Sequence, residues 1–322
     1  MADTAVQRLR DAAQRGDVVR VQLLLATGWL PYDTSVALKA AVRNDHVTTV
    51  AWFREWRLQH SATHSDDMYL DIAMRHGSLH AAAFLISVKA HVEGDGSNTP
   101  LITAAVKGHL ACVSLLLAAK ARAHVPAEQT TALHCAAVHG HTDVVECLVR
   151  AKAGVHSRDL SGKTPVSLAV KNRHEPALKV LLDAHPVDDL PVGWCRGALV
   201  AASRLPWHPG VFRLLLDARA DVHDTVYWGE AALSVAIEQG CPEIAVKLLL
   251  RAKANVLFAD EGAVTALHKA AQHGRRRTVE LLVRAKADVH AVNACGNTAA
   301  TIARWNKHVE LAEFLQAIIT GV

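Results

Sequence analysis

The sequence predicts an all-α fold made of short helices stacked in repeated helix-turn-helix units. One seven-residue phrase recurs, as RAKAGVH at 150–156, RAKANVL at 251–257 and RAKADVH at 284–290, with DARADVH at 217–223 as a fourth copy. Longer stretches align around a Gly at 108, 140 and 274, and intervals of about 33 residues are typical of stacked repeats. The 322 residues are 51% hydrophobic but only 5% aromatic. An apolar mass of mostly Ala, Leu and Val suits closely packed helices.

Within a unit, the apolar residues fall at helical spacing. Leu133, Ala136 and Ala137 mark a first helix, and Val144 and Leu148 mark a second one. A Thr before each first helix suits its N-cap, and a Pro suits its first turn. Because one helix pair has too little apolar area to be stable alone, neighbouring pairs must stack and share a core.

Three stretches carry a resemblance to a known family. They are NTPLITAAVKGHLACVSLLLAAKARAHV from Asn98, TTALHCAAVHGHTDVVECLVRAKAGVH from Thr130 and VTALHKAAQHGRRRTVELLVRAKADVH from Val264. They resemble the ankyrin repeat, whose pattern runs T-P-L-H-x-A-A, then G-H, then a leucine-rich second helix, then G-A-D-V-N. The resemblance implies an ankyrin-repeat solenoid with projecting finger loops, and it extends over weaker copies to the whole chain.

We therefore expect one ankyrin-repeat domain over residues 1–322. Its ten approximate units are 1–31, 32–64, 65–94, 95–126, 127–159, 160–192, 193–226, 227–260, 261–293 and 294–322. The seventh unit carries about two extra residues between its helices, at Leu205 to Pro209.

Charge and cysteine usage indicate a protein without a dedicated nucleic-acid surface or disulfide framework. The formal charge is +4 and the sequence pI is near 8.8, which is mild for a nucleic-acid binder. The cysteines are scattered without a C-x-x-C pair, which favours reduced thiols. Charged residues near the N-terminus argue against a signal peptide, and no run is long and apolar enough for a membrane helix. We expect an intracellular monomer in the cytoplasm, with the nucleus as the alternative. The cysteines are Cys112, Cys135, Cys147, Cys195, Cys241 and Cys295.

The residue types that could carry catalysis fall in repeat positions instead. His134 and His268 fill the H of T-x-L-H, where the resemblance implies hydrogen bonds to neighbouring loops. His139 and His141 are close in sequence but have no third ligand at metal-ligand spacing. No glycine-rich phosphate loop and no G-x-S-x-G motif occurs. We therefore expect no enzyme activity, no cofactor, no metal and no small-molecule substrate.

The position that ends each second helix is mostly basic, where the family prefers Gly. A left-handed residue with a side chain costs about 1–2 kcal/mol there, and a cation at a helix C-terminus recovers about 0.3–1 kcal/mol. The position is occupied by Gly28, Trp56, Lys89, Lys120, Lys152, His185, Arg219, Lys253 and Lys286.

A positive edge follows from this position and the arginines two residues before it. Two interpretations stay open, a solvated row of helix ends and a contact with an acidic partner surface. Three interpretations stay open for Arg275, Arg276 and Arg277 in the ninth unit: a solvated turn, an anion contact or a weak nuclear signal. The basic edge consists of Lys120, Arg150, Lys152, Arg219, Arg251, Lys253, Arg284 and Lys286.

Aromatic residues in loops are the other candidates for partner binding. Trp194, Tyr227 and Trp228 fall in connecting loops, and Trp207 lies in the inserted turn of the seventh unit. Loop Trp and Tyr are frequent interface anchors, although they could equally cover an irregular part of the core. Trp52, by contrast, follows a helical face that favours core packing.

The leading functional prediction is a protein–protein interaction scaffold or adaptor that binds through its fingers and concave first helices. The partner is another protein, with an acidic surface if the basic edge is used. One alternative is a regulatory or substrate-recognition subunit of a ubiquitin ligase or kinase assembly. Nucleic-acid binding through the basic edge is disfavoured because Asp and Glu are interspersed.

Overall fold

The structure is a computed structural model that describes residues 2–26, 34–60, 66–94, 99–124, 130–184, 197–226 and 230–320. These described residues form twenty helices and two short strands, which confirms the predicted all-α fold. The chain divides into two compact units, Met1–Pro165 and Val166–Val322. They are called the first unit and the second unit from here on, and the ten approximate units of the sequence are called repeats. No helix among the described residues is both long and apolar enough to cross a membrane.

The first unit consists of five helix pairs, each made of a first and a second helix joined by a short turn. First helices pack on the next first helix, and second helices pack on the next second helix. Small buried residues such as Ala104 and Ala105 allow the helices to approach closely. The helices are α1 (Ala2–Gln14), α2 (Val18–Leu25), α3 (Thr34–Arg43), α4 (Val47–Gln59), α5 (Asp66–His76), α6 (Leu79–Ser87), α7 (Pro100–Lys107), α8 (Leu110–Ala118), α9 (Ala132–His139) and α10 (Thr142–Arg150).

The second unit repeats this arrangement from α11, whose first residue is the last of the first unit. Its strands pair antiparallel, with Thr225 opposite Ala231 and Val226 opposite Glu230. Its elements are α11 (Pro165–Asn172), α12 (Glu175–Asp183), α13 (Ala198–Arg204), α14 (Pro209–Asp217), β1 (Thr225–Val226), β2 (Glu230–Ala231), α15 (Ala232–Glu238), α16 (Glu243–Arg251), α17 (Ala266–Gln272), α18 (Arg276–Arg284), α19 (Ala299–Trp305) and α20 (Val309–Thr320).

Threonine caps begin several first helices, as the sequence predicts. The side chain of Thr99 accepts a hydrogen bond from the backbone N–H of Ile102, and Pro100 occupies the first turn. Thr265 caps α17 in the same way. Each cap satisfies a backbone donor that the first helical turn leaves unpaired.

One position at the end of a second helix differs from the sequence prediction. Trp56 was expected to follow the helix, and this was wrong because α4 continues to Gln59. The ring of Trp56 stacks on His60 with 4.2 Å between centroids, and the His60 N–H donates to the Trp56 carbonyl at 3.2 Å. Trp56 does not have the positive φ that ends second helices at Lys89, Lys120, Lys152, Arg219, Lys253 and Lys286, so the helix continues through it. Gly28 and His185, the other two positions expected to end second helices without a basic Lys or Arg, lie outside the described residues.

Candidate partner-binding surfaces

The loops that follow the second helices are called fingers here, and two of them are braced by buried histidines. The Thr131 N–H donates to Nδ1 of His134 at 3.3 Å, so the proton of the imidazole is on Nε2. Nε2–H then donates to the carbonyls of Ser157 and Lys163 at 3.0 and 3.1 Å, near both ends of the following finger. Burial lowers the pKa of His134, which keeps the ring neutral.

His268 repeats this brace in the second unit. Its Nδ1 accepts from the Thr265 N–H at 3.1 Å, and its Nε2 donates to the carbonyls of Ala291 and Asn297, both at 3.1 Å. Burial lowers its pKa as well. These contacts confirm the role that the family resemblance implies for both histidines.

The tips of these fingers are closed by side chains that bond to their own backbone. Asp159 accepts from the N–H groups of Ser161 and Lys163, both at 2.8 Å. Asp260 and Asn293 close later fingers in the same way. A finger fixed at its base and its tip is a rigid element before any partner arrives, which reduces the entropy lost on binding.

Three apolar side chains stand exposed on the fingers, and the sequence analysis missed them. Leu160 is 68% exposed, Leu257 57% and Val292 52%. Trp305, in the last turn of α19, is 66% exposed. The sequence signal was an aliphatic residue within a polar loop, which helical periodicity cannot detect. Such residues can add apolar area to an interface.

The predicted aromatic anchors are described only in part. Trp194, Tyr227 and Trp228 lie outside the described residues. Trp207 is half-buried, and its ring centroid lies 4.8 Å from that of the fully buried Phe212. Trp207 therefore covers the core of its helix pair and leaves part of its ring at the surface.

The basic edge has the backbone geometry that the sequence analysis considered. Lys152 has φ of 59°, its N–H donates to the Val149 carbonyl at 2.9 Å, and the Ala153 N–H donates to the Leu148 carbonyl at 3.0 Å. This is a Schellman motif, in which a left-handed residue ends the helix and a buried apolar residue follows it. The same left-handed conformation occurs, with exposed side chains, at Lys89, Lys120, Arg219, Lys253 and Lys286.

The arginines of the basic edge occupy the last helical residues before these caps. Arg150 ends α10 and pairs with Glu146, so its charge is partly neutralised. Arg251 and Arg284 end α16 and α18 in the second unit. A cation in the last turn lies where the helix dipole favours it.

Two of the three arginines of the ninth repeat, Arg275 and Arg276, have contacts within the protein. Arg275 is the N-cap of α18 and lies against Gly240 of the preceding helix pair. Arg276 pairs with Glu280 at 3.2 Å, and its guanidinium carbon lies 4.9 Å from the centroid of the Phe314 ring. These contacts favour a structural role for Arg275 and Arg276.

A second basic surface, called the basic inner patch here, lies on first helices of the first unit. Arg10, Lys39 and Arg43 line a shallow cleft of about 200 Å³ between α1 and α3. Lys107 lies in the last turn of α7. Arg43, His76 and Lys107 lie in the last turns of α3, α5 and α7, which pack side by side, so these basic groups are neighbours. Burial, followed by the charges of Arg43, Arg75, His109 and Lys107, lowers the pKa of His76. The basic inner patch is defined as Arg10, Lys39, Arg43, His76 and Lys107. The sequence analysis did not identify it.

The cysteines show little sign of nucleophilic chemistry. Burial raises the pKa of the Cys112 and Cys135 thiols to about 11, which disfavours the thiolate. Cys295 is exposed, and Cys195 lies outside the described residues. Over the ranges that the structure describes, no group of three or more His, Cys, Asp or Glu side chains is placed to hold a metal ion.

Stacked helix pairs, threonine caps and histidine-braced fingers define a helical repeat solenoid. The model of the family "Ankyrin repeats (3 copies)" matches residues 70–159, 120–190 and 199–293. The chain therefore belongs to the ankyrin repeat family, whose domains are protein–protein interaction modules.

Two solved structures are similar to this chain. The ankyrin repeat domain of Bcl-3, described as a unique member of the IkappaB protein family, is 29% identical with a TM-score of 0.59, and the match covers 67% of this chain and 98% of that domain. The human ASB11 ankyrin repeat domain is 24% identical with a TM-score of 0.51, and that match covers 76% of this chain and 96% of that domain. The second likeness shows the fold alone.

Proposed function

We propose that this chain is a scaffold or adaptor that binds another protein through its fingers and the exposed face of its first helices. The bracing of the fingers by His134 and His268 carries the proposal, because it holds exposed loop residues in fixed positions before binding. A preformed surface loses little conformational entropy when a partner docks. Exposed Leu160 and Val292 supply apolar area on these two loops, and exposed Leu257 supplies it on the finger that Asp260 closes.

Affinity capture with two sets of variants tests the proposal. The first set changes the loop aromatics, as Trp194→Ala, Tyr227→Ala and Trp228→Ala. The second changes the exposed finger residues, as Leu160→Ser, Leu257→Ser and Val292→Ser. If the fingers bind, at least one set loses a protein that the wild type retains.

A matched control separates finger binding from general surface hydrophobicity. Val19 and Leu23 on α2 are 66% and 67% exposed, comparable to the finger residues, but they lie on a second helix. The variant Val19→Ser with Leu23→Ser is expected to retain the partner. Equal capture by wild type and both finger sets, with folding intact, contradicts binding through the fingers.

The same experiment distinguishes the regulatory alternative. A subunit that selects substrates for a ubiquitin ligase or kinase assembly would retain the subunits of that assembly together with the substrate. A simple adaptor would retain a partner without them. Mass spectrometry of the captured proteins separates the two outcomes.

A further inference from the structure

The basic inner patch contains cations that have no carboxylate partner among the residues that the structure describes. Within the described part of the chain, no ion pair involves Arg10, Lys39, Arg43 or Lys107. Arg10, Arg43 and Lys107 are exposed, and Lys39 is partly exposed. Cations on neighbouring helices raise one another's electrostatic energy, so an anionic ligand would be favoured here.

The carboxylates near this surface are already engaged. Asp71 pairs with Arg75 at 2.9 Å and accepts from the Thr103 hydroxyl at 2.6 Å. Asp45 accepts from Nδ1 of His80 and from the Ala81 N–H, both at 2.7 Å. These acids cannot neutralise the basic inner patch without giving up existing hydrogen bonds.

Some basic residues on first helices of the second unit do form ion pairs. Lys269 on α17 pairs with Glu238 on α15 at 2.6 Å, and Arg204 on α13 pairs with Glu230. There, carboxylates of the next or previous helix pair meet these two basic side chains, whereas Lys171 on α11 and Arg304 on α19 have no ion pair among the described residues. Stacked first helices therefore do not require cations without a described carboxylate partner, such as those of α1, α3 and α7.

The cleft indicates the kind of anion. Its volume of about 200 Å³ is below the roughly 300–1,000 Å³ of small-molecule pockets. Val36 and Ala40 form apolar wall beside Lys39 and Arg43, and Val36 is 41% exposed. An apolar side chain can fill the cleft while carboxylates beside it meet the cations.

We infer that the basic inner patch binds an acidic, extended peptide segment of a partner protein, with an aliphatic residue between its carboxylates. Arg43 can hold one carboxylate through two parallel hydrogen bonds, and Lys39 and Lys107 act as point charges. The inference rests on the proposed scaffold function and assigns one of its binding surfaces. A nucleic acid would use the cations but not the apolar wall, so a peptide fits the cleft better.

Selection from a phage-displayed library of random peptides tests this inference with the full chain. The expected result is enrichment of Asp and Glu over the starting library, together with an aliphatic residue. Binding of the selected peptides should weaken between about 50 mM and 300 mM salt, because screening shortens the reach of exposed charges.

A charge-matched pair of variants locates the site. The patch variant carries Lys39→Gln, Arg43→Gln and Lys107→Gln. The comparator carries Lys89→Gln, Lys120→Gln and Lys152→Gln, which removes the same charge from left-handed caps of the same unit. With about a twofold loss for each exposed charge contact, the patch variant should bind roughly tenfold more weakly and the comparator less than twofold.

Each result has a defined meaning. Selected peptides without acidic enrichment, or equal binding by the patch variant, overturn the inference while the scaffold function stands. A larger loss in the comparator assigns acidic recognition to the basic edge instead and also overturns it. Displacement of the peptides by single-stranded DNA of equal charge at equal concentration favours a nucleic acid and overturns it. If the selection yields no binding peptide at all, the inference is overturned. If affinity capture fails as well, the scaffold function is contradicted.

Discussion

Replacing the three cationic caps of the first unit tests how this chain tolerates side chains where glycine is preferred. The perturbations are a glycine variant and a glutamine variant at Lys89, Lys120 and Lys152. All three residues are left-handed, with φ of 69°, 66° and 59°. Glycine removes both the strain and the charge, whereas glutamine removes only the charge.

At each site, one stabilising effect of glycine is opposed by two destabilising effects. Glycine relieves about 1–2 kcal/mol of left-handed strain. It also loses about 0.3–1 kcal/mol of cation–dipole attraction and about 0.4–1 kcal/mol through its greater freedom when unfolded. At mid-range values the gain and the losses differ by only about 0.2 kcal/mol per site, so the glycine variant should stay within about 1 kcal/mol of wild type over three sites. The glutamine variant should lose about 1–3 kcal/mol over three sites.

Urea unfolding, followed by circular dichroism at low and high salt, measures these differences. Because salt screens the dipole term, the glutamine variant should approach wild type at about 1 M salt, and the glycine variant should become the most stable. Amide exchange at Ala153, whose N–H closes the last Schellman bond at 3.0 Å, gives a local measure. A glycine variant less stable than the glutamine variant would refute the assignment of strain to these caps.

Three further predictions concern positions inside the repeats. Gly108→Ala should destabilise by several kcal/mol, since its Cβ would lie 2.6 Å from a histidine ring. Gly162→Ala, with an equally positive φ but no described residue within 4 Å of the added Cβ, should cost about 1–2 kcal/mol in urea unfolding. The free energy of unfolding should fall as pH drops below about 6.5, because His134 is protonated in the unfolded state before it is protonated in its buried folded position. This residue changes the free energy of unfolding by at most about 1.4 kcal/mol per pH unit, and His134→Gln should flatten the dependence on pH. At about pH 8, Cys295 should react with a disulfide reagent in the native protein while Cys112, with about one thiolate in a thousand, stays unreacted; equal rates would contradict its burial.

Features that depend on local sequence could be predicted well. The T-x-L-H pattern placed His134 correctly, because the cap, the imidazole and the following finger belong to adjacent repeats with a fixed register. The end of α4 could not be placed by alignment, since Trp56 has the hydrogen bonds of a continuing helix. The division of the chain into ten repeats stays a prediction.

The basic inner patch could not be predicted because its charge depends on pairing between helices. Lys39 and Lys269 both lie on first helices, yet Lys269 meets the carboxylate of Glu238 at 2.6 Å and Lys39 has no such partner in the described structure. Composition counts both as one positive charge. Only the spatial arrangement of acids and bases decides which charge is available to a ligand.

The basic edge recurs in successive repeats, whereas the basic inner patch does not, and this difference indicates different roles. Left-handed cations end second helices in both units, at Lys120 and Lys253 for example, as expected when each helix end needs the same electrostatic compensation. A recognition site is under no such requirement and need only exist where its partner docks. Arg10, Lys39 and Arg43 form their cleft between one pair of helices, beside an apolar wall. The local departure from the repeat is therefore the stronger candidate for recognition, and the uniform basic edge is explained by the ends of helices.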